Sequence, residues 1–484
     1  MDVQGGYWLT RLLLQRGLGV IYLVAFLVVV NQFRPLCGER GLLPAPAYLQ
    51  LTTFGETPSI FHVFPKDTAF AFFGWCGVIL AIFATTGLSE RFGVWFSMSV
   101  WFLLWVIYLS FVNIGQTFYA FGWESLLLES GFLAIFLGSS DTEPSTVMIW
   151  LFRWVLFRLI LGAGLIKLRG DPCWHDLTCL DYHFETQPMP NPLSWYFHWL
   201  PGWMHKGGVL FNHLAEVAAP FFFFAPQPLA AVAGVVTLLF QGALIVSGNF
   251  SWLNFLTLVL AFSTFTDAQL GRVIPVTPFP VSPLTPVHSG VIICVALLVA
   301  FLSIRPVRNL MSRHQVMNIN YDPFHLVNTY GAFGSITRDR YEIVIEGTDE
   351  EVVLPTTRWQ VYEFRGKPGD PGRLPPQVAP YHLRLDWLMW FAAMPSPYYD
   401  PWFIRLLAKL LDNDPLTLSL LRHNPFPGAP PRYVRALHYR YRFTTPDERR
   451  KSGRWWAREL VETYFPPVSR GDPVLRTVFE GPGF

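Results

Sequence analysis

From residue 8 to about Arg305 the chain runs repeatedly through long apolar stretches with no polar face, separated by turns and two long loops. The stretches are 8–30, 69–88, 93–114, 119–137, 147–167, 208–224, 229–247, 250–265 and 289–304, nine in all, the eighth short. A helix needs about 20 apolar residues to cross a bilayer core, and in lipid it satisfies every backbone N–H and C=O within itself. Surface helices of a water-soluble protein keep a polar face, and too many of these stretches lack one for all to be buried in a soluble core. The two long loops are 32–68 and 169–207, the second dense in Pro, Trp, His and Cys. Tyr7, Trp8, Trp195, Trp199 and Trp203 sit near span ends, where aromatic side chains gather at membrane interfaces.

Beyond Arg308 charges recur every few residues and no apolar run is long enough to span. Alternation at 341–346 and 359–364 predicts a β-hairpin, and 436–443 a further strand. Helical periodicity at 384–394, 402–411 and 455–464 predicts three helices. Segments 367–380 and 424–431, rich in Pro and Gly, read as loops. The expected architecture is a polytopic α-helical membrane bundle over 1–307, followed by a water-soluble α+β domain, rich in strands, over 308–484.

Composition sharpens this picture. Charged residues make up 14% of the chain, against about 25% in soluble domains, and mean hydropathy is +0.32. A net charge of +2 gives no basis for a nucleic-acid partner. Five cysteines are too few for a disulfide scaffold. The first apolar segment lacks a cleavage motif and reads as a retained span. Arg11 and Arg16 favour a cytoplasmic N-terminus, and nine spans would then place the C-terminal domain on the outer or lumenal side; Arg305, Arg308 and Arg313 argue the other way.

Ionisable groups inside spans are costly, so each is a candidate functional residue. Glu124 and Glu129 lie in FGWESLLLESGFL, and Arg153, Arg158 and Lys167 in RWVLFRLILGAGLIKLRG. Either carboxylate neutralises Arg153 or Arg158 and locks helix packing, or the set lines a polar cavity. Arg153 and Arg158, five apart, are separated by about 140° around a helix and need not share a partner. Lys167 follows Gly162-Ala163-Gly164, small residues that permit close helix approach. A desolvated lysine can act as a base; the plainer alternative is snorkelling to the interface. With Glu124 and Glu129 it forms the catalytic candidate set.

His213 and Glu216, three apart, share a helix face and are expected to hydrogen-bond to each other; as two ligands they make no case for a metal. Cys173 and Cys179 are either a disulfide, in an oxidising compartment, or two free thiols. Asn249-Phe250-Ser251 fits a glycosylation acceptor but sits at a span edge. No phosphate loop, nucleophile elbow or zinc-protease signature is present, and no cofactor is implied.

Several ordered blocks carry a family resemblance. GDPCWHDLTCLDYHFETQPMPNPLSWYFHWLP at 170–201, GLGVIYLVAFLVVVNQFRPLCGERGLLPA at 17–45, FGWESLLLESGFL at 121–133, LVNTYGAFGSITRDRYEIVIEGTDE at 326–350, APYHLRLDWLMWFAAM at 379–394 and NPFPGAPPRYVRALHYRYRFT at 424–444 resemble the lipase maturation factor family over nearly the whole chain. The resemblance implies a multi-pass membrane protein that assists folding and assembly of secreted lipases, with the C-terminal domain engaging the client. It implies the endoplasmic reticulum membrane in a eukaryote and the inner membrane in a bacterium. The short N-terminus, compared with animal members, leads us to expect a bacterial source and leaves the client open to other secreted proteins. Trp195, Trp199 and Trp203, with Tyr196, are candidate client contacts, membrane-interface anchoring being the alternative.

AGLIKLRGDPCW at 163–174 is similar, more distantly, to a segment of the vitamin K-dependent carboxylase and related HTTM/DoxX-like membrane proteins, in which a lysine serves as base; the matching residue is Lys167. Two readings follow. One is a non-enzymatic folding factor whose partners are the bilayer and a secreted lipase. The other is a membrane enzyme acting on a lipid or quinone-like substrate.

Overall fold

The computed structural model describes residues 6–276, 280–396 and 398–475. Seven helices among them are long and apolar enough to cross a membrane: α1 (Trp8–Cys37), α2 (Asp67–Thr86), α3 (Val94–Ile114), α5 (Thr146–Arg169), α6 (Gly202–Phe224), α7 (Leu229–Ser247) and α9 (Pro286–Met311). Two shorter helices, α4 (Gly122–Ala134) and α8 (Leu253–Ala261), occupy the expected spans 119–137 and 250–265.

Both short helices still run between the two ends of the bundle. At one end the Trp252 indole donates to the carbonyl of Trp123. At the other, Gln15 donates to the carbonyl of Gly138 just past α4, and Thr10 to that of Phe265 just past α8. They are short because they are enclosed: α4 is buried along almost its whole length. A segment shielded by protein need not cover a full bilayer thickness with its own apolar surface.

The outer helices show the opposite pattern. Phe72, Trp75, Ile79 and Ile82 form an exposed stripe on α2, and Ile293, Leu297 and Phe301 one on α9. These spacings repeat one helix face, as expected of helices that turn an apolar face to lipid. Arg11 and Arg16, read as orientation signals, are engaged internally. Arg11 donates to the carbonyls of Ser140 and Thr142, and Arg16 pairs with Glu90 at 2.5 Å.

The C-terminal region holds one antiparallel sheet in the order β2-β1-β3-β4, formed by β1 (Arg340–Thr348), β2 (Gln360–Val361), β3 (Tyr433–Phe443) and β4 (Trp456–Ser469). β1 pairs along its length with β3, Tyr341 opposite Arg440 and Glu346 opposite Arg435. Helices α10 (Arg384–Ala392) and α11 (Pro401–Leu411) pack on β1 and β3 respectively. A short helix, α12 (Pro446–Ser452), joins β3 to β4 and starts with a capping box between Thr445 and Glu448.

Two expectations need correction here. The second hairpin strand is only two residues long. The segment 455–464, expected to be a helix, is β4: Trp456 lies opposite Phe443 and Glu459 opposite Arg440. Helix-forming Arg, Glu and Leu residues gave the helical signal, and the ladder offered by β3 overrides that propensity.

Candidate functional site

Four buried charge clusters tie the bundle to the C-terminal region and to the loop between α5 and α6. Glu124 is paired, but not with Arg153 or Arg158. Its partner is Arg384 at the start of α10, 2.8 Å away, and Tyr108 donates to the same carboxylate. Arg384 also donates to the carbonyl of Phe118 at 2.7 Å and lies 3.4 Å over the Tyr119 ring. Gln32 of α1 clasps the same place, donating to the carbonyl of His382 at 2.7 Å and accepting from Arg384 N–H at 3.0 Å. His382 is enclosed edge-on by Phe121, Trp123, Trp252 and Trp387.

Glu129 pairs with Arg158 across α4 and α5. It also accepts from the backbone and side chain of Asn328, both at 3.1 Å, and from the Tyr330 hydroxyl at 2.5 Å. Arg158 in turn donates to the Asn328 carbonyl at 2.6 Å. The ion pair thus holds the strand-like segment that leads from α9 to β1. Arg153 pairs with no carboxylate among the described residues. It donates to the carbonyls of Ser263 and Phe223, at the ends of α8 and α6, and to the Tyr7 hydroxyl. Helix ends leave orphan carbonyls, and Arg153 satisfies two of them.

Lys167 does not snorkel to the surface. It is 5% exposed, and Nζ donates to both Glu216 oxygens (2.7 and 2.6 Å) and to Asn212 Oδ1 (3.0 Å). Its ammonium also lies 5.0 Å from the Trp174 ring centre. The small residues before it explain how the neighbours come so close. A Cβ on Gly164 would stand 2.8 Å from the Glu216 carbonyl oxygen, and one on Gly162 only 2.4 Å from that of Tyr330.

Glu216 sits in a π-helical turn, Leu214–Ala218, inside α6. That turn breaks the 100° step on which the His213–Glu216 pairing was expected. His213 instead bonds to the carbonyl of Trp174 at 3.0 Å. Among the described residues no group of three or more His, Cys, Asp or Glu is gathered to hold a metal ion.

The 169–207 loop is built into the same assembly. Cys173 and Cys179 are joined as a disulfide, their Cα atoms 4.9 Å apart. Asp171 bonds to Arg338 at 2.7 Å and accepts from the N–H groups of Cys173 and Ile336. The Arg338 guanidinium foremost, then these N–H groups, pull its carboxyl down to about 2. Arg340, fully buried, donates to the loop carbonyls of Glu185 and Pro188 at 3.0 Å each and pairs with Glu342, which Lys367 also contacts at 2.8 Å. Asn249, the glycosylation candidate, is 1% exposed and spends its amide on Pro190, Pro376, Val378 and Ala379.

The three tryptophans have different fates. Trp195 is buried against Tyr441, Phe443 and Trp456 and donates to the Thr444 carbonyl at 2.8 Å. It fastens loop to sheet and is 7% exposed, a correction to the expectation of an exposed ring. Trp199 shares the Thr444 carbonyl and is partly exposed, while Trp203 is 73% exposed.

Lys167, Asn212 and Glu216 also form part of the wall of a half-open cavity of about 970 Å³, lined chiefly by α5, α6, α7, α8, the 169–207 loop, residues 313–335 and α10. Glu124, Glu129, Arg153 and Arg158 are not in its wall. Sequence reasoning missed His183, Gln241 and Asn254, which are, and it missed Arg384 as the partner of Glu124. An arginine and an aspartate inside the otherwise apolar run LRLDWLMWF were the available signal for Arg384.

A family model described as the lipase maturation factor transmembrane domain matches residues 9–272, and one described as the lipase maturation factor C-terminal domain matches residues 326–466. Lipase maturation factor 1 of Bos taurus is 45% identical over 97% of this chain and 90% of its own length. Lipase maturation factor 1 of Homo sapiens is 43% identical over 99% and 91%. Lipase maturation factor 2 of Homo sapiens is 30% identical over 98% and 84%. No solved structure matches. With both regions matched in order and relatives aligned nearly end to end, the chain belongs to the lipase maturation factor family.

Proposed function

We propose that this multi-pass membrane protein assists the folding and assembly of a secreted lipase, as a holding factor and not as an enzyme. The observation that carries this is the near end-to-end likeness to relatives called lipase maturation factors, spanning both the bundle and the C-terminal region. The geometry supports it. The C-terminal region and the 169–207 loop meet at one end of the bundle, fixed to each other and to the helices by buried polar contacts. A rigid platform loses less entropy when it captures a client than a mobile one. In this reading that end faces the lumen of the endoplasmic reticulum in a eukaryotic cell, or the periplasm in a bacterial one. The domain beyond residue 307 works in water there, and exposed Trp203 and Trp199 offer apolar surface to the client or to the membrane interface.

The enzymatic alternative asks Lys167 to serve as a base. All three of its N–H bonds already go to Glu216 and Asn212, which favours a structural cation. The test is co-expression with a secreted lipase. The full chain is expected to co-purify with incompletely folded lipase and raise active lipase in the medium, and a chain ending before Leu326 to do neither. Equal lipase activity with and without the full chain would overturn the proposal.

A further inference from the structure

The cavity beside Lys167 has features that the holding role does not use. Its volume, about 970 Å³, lies near the top of the roughly 300–1,000 Å³ usual for small-molecule sites. Phe184, Phe240, Phe250 and Trp390 give it a largely aromatic wall. Within that wall His183, Gln241 and Asn254 are 6%, 4% and 4% exposed. The His183 imidazole meets only the rings of Phe184, Phe250 and Phe333 and hydrogen-bonds to no described residue. Gln241 Oε1 has no donor. The Asn254 side chain likewise has no partner among the described residues, although it lines open space. Buried polar groups in native proteins are nearly always paired with protein or water, so three such groups on the wall of one cavity are available to a ligand that pairs them.

The chemistry of that ligand follows from the groups present. The buried cation of the wall, Lys167, is neutralised by Glu216. Burial, aided by the charge of Lys167, pulls His183 down to about 4, so its ring is uncharged at neutral pH. The wall's other charged residues, Arg169, Arg313 and Asp400, are exposed, so no unpaired charge is buried with these three groups to hold an ionic head. An amide oxygen needs a donor, while a neutral imidazole and a second amide offer both donor and acceptor. A hydroxyl group satisfies all of these, and the aromatic wall accommodates an alkyl chain.

We propose that this cavity binds a neutral single-chain lipid with a hydroxyl-bearing head, of the monoacylglycerol type, its head between His183, Gln241 and Asn254. The site is separate from the proposed client contacts, and its test does not involve a lipase. Full-length protein in detergent is titrated with radiolabelled monooleoylglycerol, with unlabelled oleate as the anionic competitor. The expected result is saturable binding of one lipid per chain, weakened at least about tenfold in each of Gln241→Leu, Asn254→Leu and His183→Phe, with wild-type elution and melting, and not displaced by an equal concentration of oleate. Absence of saturable binding, equal binding by all correctly folded variants, or preference for oleate would each overturn it. The three variants lie on separate elements, so failure of one to fold leaves two that decide.

Discussion

The seam between bundle and C-terminal region and the cavity beside it are both polar interiors, and they use their polar groups in opposite ways. In the seam charge meets charge: Glu124 meets Arg384, Glu129 meets Arg158, and Glu342 meets Arg340 and Lys367. Polar surface left unpaired there is enclosed by rings with no open space beside it, as Arg384 is by Tyr119 and the two His382 nitrogens are by Phe121, Trp123, Trp252 and Trp387. In the cavity, by contrast, His183, Gln241 and Asn254 are buried, unpartnered and facing space. A removed partner in the seam strands a charge with nowhere to go, whereas an unpartnered cavity group can be replaced by an apolar one at no cost to folding. The comparison separates polar groups that hold the molecule together from those left free for a ligand.

Breaking the seam should have the largest effect. Glu129→Gln leaves Arg158 buried without its carboxylate and also weakens the bonds from Asn328 and Tyr330; a loss of about 3–5 kcal/mol is expected, seen as a large drop in melting temperature and in monodisperse yield. Crowding the Lys167 site comes next. In Gly164→Leu the added atoms meet the Glu216 carbonyl, and overpacking of this kind costs about 1–3 kcal/mol.

A smaller effect is expected at the Asp171–Arg338 link, which is partly open to water. Its carboxyl is held at about 2 in place of 3.8. Because the folded value is the lower one, the link stabilises fully above pH 3.8 and is lost as pH falls towards about 2. With solvent screening the contribution is about 1 kcal/mol, and Asp171→Asn should remove it at pH 6 and flatten the acid limb of a melting profile. The smallest effect belongs to the cavity. His183→Phe is expected to change stability by no more than about 0.5 kcal/mol, read as a near-unchanged melting temperature, and a loss comparable with Glu129→Gln would erase the distinction between the two regions.

Much of the architecture is legible in the chain, because lipid and the β-pleat impose simple periods. Of the nine expected stretches, seven correspond among the described residues to helices long and apolar enough to cross a membrane, and two to the shorter α4 and α8, packed where neighbours exclude lipid, which hydropathy alone does not register. Alternation located β1 and β3, and periodicity located α10 and α11. β4 was misread because its residues favour a helix until β3 offers them a ladder. The candidate site was only half legible. Ionisable residues in apolar runs stood out, but their partners depend on tertiary contacts: Glu124 finds Arg384, 260 positions away, and Lys167 finds Glu216 through a π-helical turn. His183, Gln241 and Asn254 look ordinary in sequence and become notable only when the fold leaves them unpaired around one cavity.

That charge locks the C-terminal region to the bundle is tested most directly by a double-mutant cycle on Glu124 and Arg384, read by thermal unfolding of the full-length protein in detergent. Glu124→Leu and Arg384→Met should each destabilise strongly, and the double variant should recover much of the loss, giving a coupling of about 2–3 kcal/mol. Strictly additive losses, or single variants that melt like the wild type, would contradict the account.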